Sequence, residues 1–230
     1  MASQQDDSDR WLAFGLAFVG GYSDAVSFLL ATTFTGHVTG NLVMVAVSLA
    51  TGHLLSAARQ IAAILSFVLG VWVSTLIARR WSSWTAWRFL AFVMVIEVSL
   101  MSAATGALAS HYVLRMEAFL VCAALALGLQ NGAFHRAGGT SVHTTYLTGV
   151  ITSTIMAVTG TTPMESRGEQ APTPPGVVST LDGIWMAFVL GAGVGAVAIF
   201  SVPRVGMMGG VLVLIALLVR GTMRARDSGI

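Results

Sequence analysis

Six stretches of this sequence run to about membrane-crossing length with almost no charge: Trp11–Thr32, Ile61–Ala78, Phe89–Ala109, Met116–Phe134, Trp185–Phe200 and Val205–Val219. Only Asp24, Glu97 and Glu117 interrupt them with an acid. The hydrocarbon core of a bilayer is about 30 Å thick, and a helix needs about 20 apolar residues to cross it. In lipid the backbone must satisfy its own hydrogen bonds, which leaves helices or closed barrels. The chain is 55% hydrophobic and only 10% charged, whereas soluble domains carry about 25% charged residues. The expected fold is therefore an all-α polytopic membrane bundle, one domain over residues 1–230. Two further apolar stretches, Val38–Ala50 and Leu147–Val158, are too short to cross. They read as interrupted or re-entrant helices.

The basic residues choose between topologies. All twelve are arginine, which with abundant Ala, Gly and Val reads as GC-rich, bacterial coding rather than arginine chemistry. If all eight apolar segments crossed, the Arg79/Arg80/Arg88 loop and the Arg220/Arg224/Arg226 tail would face opposite sides. That conflicts with the bias of Lys and Arg toward cytoplasmic loops. If the two short segments dip in and return, six spans remain and both termini are cytoplasmic. Only Arg59, Arg115 and Arg204 then lie outside. Seven crossings, with one short segment spanning, is the next alternative. The acidic N-terminus (Asp6, Asp7, Asp9) lacks the basic start of a secretory signal, so the first apolar segment is expected to stay as a span. The expected location is the inner membrane. A net charge of +2 gives no case for nucleic acid. The single cysteine, Cys122, excludes an internal disulfide.

Two passages echo each other across the chain. Gly21-Tyr22-Ser23-Asp24-Ala25, followed by His37-Val38-Thr39-Gly40-Asn41, corresponds to Gly128-Leu129-Gln130-Asn131-Gly132, followed by His143 and Thr144-Thr145-Tyr146-Leu147-Thr148-Gly149. With three crossings per half, residues 11–109 and 112–222 would form an inverted repeat. Interrupted helices near the midplane of inverted repeats are a recurring transporter design. The polar stretch 161–180 holds all but one of the prolines and reads as a loop.

Each polar position has a functional and a structural reading. Asp24 follows a Gly pair and is suited to capping a broken helix, pairing with Arg, binding a cation or carrying a proton. Asn131 holds the corresponding place but does not titrate. Glu97 is a mid-span acid among apolar neighbours, costly to ionise. It is a candidate proton carrier or a structural hydrogen-bond donor. Thr39, Gly40 and Asn41 in one half, and Thr145, Thr148 and Gly149 in the other, stand at the starts of the short helices. Thr is expected to cap them there, and their free N–H groups form a polar cradle. His37 and His143 precede these helices and titrate near neutrality; the plainer reading is an interfacial hydrogen bond. Gly191, Gly193 and Gly195 read as a helix-packing stripe. No His/Cys metal spacing, phosphate loop, dinucleotide fingerprint or catalytic triad is present. No metal, cofactor or enzymatic activity is expected.

Together these motifs resemble the YoaK-type membrane proteins, the bacterial family called domain of unknown function 1275. The resemblance extends from about Trp11 to Val219 and implies a multi-pass inner-membrane protein without implying a substrate. Pro163–Pro175 departs from the family pattern as a local insertion. Two functional readings follow: a small secondary transporter for a polar solute or ion, with Asp24 handling a proton, or a non-transporting scaffold that binds a partner. Lipid is the expected surrounding, and a homodimer is compatible with the sequence. Transport predicts water access to Asp24. The scaffold reading predicts that Asp24 is sealed and fully hydrogen-bonded. A passive channel lacks the charged ring that would mark one.

Overall fold

A computed structural model describes residues 2–111, 113–137, 175–202 and 206–227 of the chain. Among these residues the secondary structure is entirely helical: α1 (Ala2–Ala31), α2 (Val38–Ala50), α3 (Leu54–Arg80), α4 (Ala86–Ala109), α5 (Arg115–Ala137), α6 (Pro175–Ser201) and α7 (Met208–Asp227). All but α2 carry a stretch long and apolar enough to cross a membrane. At 1.5 Å per residue, the 13 residues of α2 rise only about 20 Å. The described residues form a helical membrane bundle of six candidate spans and one short helix. The second short segment, Leu147–Val158, lies outside the described residues.

The polarity is that of a lipid-solvated protein. Ser23, Asp24, Ser27, Gln60, Glu97 and Gln130 are buried, while Leu42, Val43, Leu65, Trp72, Val197 and Phe200 are exposed. Lipid is as apolar as leucine, so helices gain little by hiding leucines from it. They associate through close packing of small residues and interhelical hydrogen bonds.

That packing fixes the directions of the spans. α1 meets α6 at Gly21 and Gly191. A methyl group on either glycine would lie well under 3 Å from a backbone carbonyl of the other helix, Phe188 for Gly21 and Phe18 for Gly191. Further contacts pair Phe14 with Gly183 and Tyr22 with Gly195, so α1 and α6 run parallel. α3 meets α5 in the same way. Gly128 abuts the Phe67 carbonyl, Gly70 abuts the Leu125 carbonyl, and Gly132 packs on Ser74. These two helices are parallel as well. α7 runs antiparallel to α1, with Leu217 on Gly15 and Gly209 on Tyr22, and antiparallel to α4, with Gly221 on Trp87. The six long helices therefore alternate in direction along the chain. The start of α1 and the end of α7 share one face of the bundle, where the Arg220 guanidinium lies 4.9 Å from the Trp11 ring. At the opposite face Arg59 of α3 binds Glu117 of α5 through Nη2 at 2.7 Å and Nε at 2.9 Å.

Three local expectations are corrected. The residue preceding α2 is His37, and Thr39 lies inside the helix. His37 makes no side-chain cap, because its ring is turned toward Asp24. The expected loop 161–180 gives way to helix at Pro175. Proline suits the first helical position, where its missing N–H would be unpaired anyway. Of the glycine stripe, Gly191 and Gly195 pack against α1, while a methyl group on Gly193 would meet nothing within 4 Å. Residues two apart lie on different sides of a helix, so only the four-residue spacing forms a stripe.

Candidate functional site

The chain doubles back on itself after α1. Thr32 ends the helix in the left-handed region, φ 50°, and its N–H still bonds Phe28 O at 2.8 Å. The next residues descend beside the helix they have left. Phe34 stacks on Phe28 at 4.7 Å. Further down, Asp24 Oδ1 accepts from Thr35 N at 2.8 Å, Gly36 N at 2.7 Å and Thr35 Oγ1 at 3.2 Å. Asp24 Oδ2 accepts from His37 Nδ1 at 2.5 Å. Since Asp24 lies seven residues before Ala31, α2 starts about 10 Å below the end of α1. It climbs from there to the tight turn at Gly52, φ 76°, and α3 returns.

Two amides secure this hairpin. Asn41 in the first turn of α2 reads both backbone groups of Phe34. Its Oδ1 accepts from Phe34 N at 2.9 Å and its Nδ2 donates to Phe34 O at 2.7 Å. Gln60 on α3 donates to Thr32 O at 3.1 Å and accepts from Ser48 Oγ at 3.1 Å. It thereby joins the end of α1, the body of α2 and the start of α3. Gln60 is fully buried and was not among the expected site residues. As a lone amide beside the apolar run Ile61–Ala78, it was detectable in the sequence.

Asp24 is 4% exposed, and both of its oxygens are engaged. This is the arrangement of a clamp that holds a backbone turn inside protein. His37 is the more open member of the pair, with 26% of its side chain accessible. Its ring meets Phe34 and, edge-on, Phe188 of α6 at 5.5 Å. The Asp24–His37 pair thus reaches the α1–α6 crossing. Thr39 is exposed and Gly40 packs on the Phe34 ring.

Glu97 stands apart from this cluster. It lies at mid-length of α4, 0% exposed, and neither carboxyl oxygen has a hydrogen-bond partner among the described residues. Asn131 is half-buried on α5. Its neighbour Gln130 reaches α1 and donates to Leu16 O at 3.3 Å. His143, Thr145, Thr148 and Gly149 lie outside the described residues. No cluster of three or more His, Cys, Asp or Glu suited to a metal occurs among the described residues.

The family model described as "Protein of unknown function (DUF1275)" matches residues 12–220. The chain belongs to the DUF1275 family. The match reaches into all six long helices and covers both motif passages that suggested the resemblance. No curated protein and no solved structure matches the chain.

Proposed function

We propose that this protein is a small secondary transporter of the bacterial inner membrane, built from two halves of opposite orientation. One observation carries the proposal: the two closest helix crossings are the same crossing made twice. In each, a glycine abuts the carbonyl three residues before the partner glycine, and the partner does the same in return. Gly21 and Phe18 of the first crossing stand 107 residues before Gly128 and Leu125 of the second. Phe67 and Gly70 stand 121 residues before Phe188 and Gly191. Gly40 and Gly149 are 109 apart. Most of the extra residues in the second half therefore fall after Gly149, where the Pro-rich stretch is. Paired halves of opposite orientation support alternating access by rocking one half against the other. The start of α2, anchored by Asp24, forms one wall of the solute path, with Thr39 and Gly40 on it.

The sealed, fully bonded state of Asp24 favours a second reading, a non-transporting scaffold in which the clamp only stitches the broken helix. One labelling experiment separates the two. In a Cys122→Ala background, Thr39→Cys is treated with a membrane-impermeant maleimide in right-side-out and in inverted vesicles. Alternating access predicts modification from both sides. The scaffold predicts modification from one side at most.

A further inference from the structure

We propose that Glu97, not Asp24, is the proton-carrying group of this protein. The assignment deepens the transport reading by naming the ion that would be coupled, and it rests on that reading for its purpose. A buried acid that serves only to hold helices together does so by donating or accepting hydrogen bonds. Asp24 has four such partners. Glu97 has none among the described residues, although it is less exposed than Asp24. An unpaired carboxylate in that position would cost several kcal/mol or more, whereas leucine or methionine would cost nothing. What distinguishes Glu97 from those residues is its proton.

The surroundings fit a proton rather than a metal cation. α4 packs against α5 and α7. Among the described side chains, the titratable groups of α5 are Arg115, Glu117 and Cys122. Glu117 is tied to Arg59 at the far face. On α7, Arg220, Arg224 and Arg226 lie in the last two turns, around and beyond the Gly221–Trp87 contact. Counting from that antiparallel contact brings position 97 level with position 211. That level is next to Gly209 and Gly210, which pack on the Tyr22 ring of α1. By register, Tyr22 and Asp24 are then the nearest titratable groups of α1. Tyr22 donates to the Gly206 carbonyl, and Asp24 is occupied by its turn. Among the described residues, no cation stands at this depth to hold Glu97 ionised. Ser23 Oγ on α1 and Gln130 Oε1 on α5 are also buried without a hydrogen-bond partner among the described residues.

The step is a simple exchange. The carboxyl O–H bond breaks, its electron pair stays on the carboxylate, and the proton passes to a water admitted when the halves move. The return step reverses it.

Full-length protein in lipid vesicles is treated with a hydrophobic carbodiimide, which reacts with protonated carboxyls, and the modified residue is located by mass spectrometry across a pH series. The expected result is an adduct on Glu97 that declines as pH rises, with Asp24 unmodified. An unmodified Glu97 at every pH, equal modification at every pH, or an adduct on Asp24 instead would overturn the assignment. Infrared spectra of the unmutated protein supply a second readout. The carbonyl band of a protonated acid should shift on transfer to D2O, and it should be missing in Glu97→Gln but present in Asp24→Asn. A band that does not shift denotes a static acid and refutes the exchange. These results are separable from those for Thr39. A modified, exchanging Glu97 with one-sided Thr39 access would sink transport but not the acid, and the reverse pattern would sink the acid alone.

Discussion

Asp24 and Glu97 are both acids inside the bundle, and their surroundings give them opposite characters. Asp24 organises a turn, so the acceptor matters more than the charge. Asp24→Asn keeps an oxygen for Thr35 N and Gly36 N and should fold. Asp24→Ala strands both N–H groups and the His37 ring. Unmet buried donors cost about 1–3 kcal/mol each, so a loss of about 3 kcal/mol or more is expected. Thermal unfolding in detergent reads the difference, and equal melting of the two variants would contradict the clamp. Thr32 offers the opposite effect. A β-branched residue at positive φ is strained, and Thr32→Gly should stabilise by about 1 kcal/mol. At this scale the sequence exposed the polar residues but not their roles. Asp24 and Asn41 stood out as polar residues in apolar surroundings. That one would hold Thr35 and Gly36, and the other Phe34, depends on a chain reversal that no local pattern encodes.

At the scale of helices, glycine spacing is the most informative element of the sequence. Gly21 and Gly128 each face a backbone carbonyl that has no means of yielding. Gly21→Ala and Gly128→Ala should each destabilise by on the order of 3 kcal/mol, at the upper end for overpacking. Gly193→Ala should be neutral or slightly stabilising, since its side is open and alanine is the better helix former. Melting temperatures of the three variants test this, and a mild effect at Gly21 or Gly128 would count against the crossings. The existence of the long helices was legible, because runs of uncharged residues allow nothing else in lipid. Their ends were less so. α3 begins at Leu54 and α6 at Pro175, beyond the limits suggested by hydropathy. A helix continues through polar residues at a membrane surface as long as its backbone is bonded. The choice of Gly191 and Gly195 over Gly193 required the helical period, not the composition.

For the molecule as a whole, the account stands on direction: α1 parallel to α6, α3 parallel to α5, and the start of α1 beside the end of α7. The arginine distribution sets a separate expectation, both termini on the cytoplasmic side, because charge bias reports the side on which each loop rests. Which helices touch was not legible, since Gly and Ala are abundant throughout and many crossings would have fitted. Side-specific labelling tests the arrangement most directly. Single cysteines replacing Ser3, His53 and Ser228 in a Cys122→Ala background are exposed to an impermeant maleimide in sealed vesicles of known orientation. The account predicts that Ser3 and Ser228 label from the same side and His53 from the other. Labelling of Ser3 and Ser228 from opposite sides would contradict it.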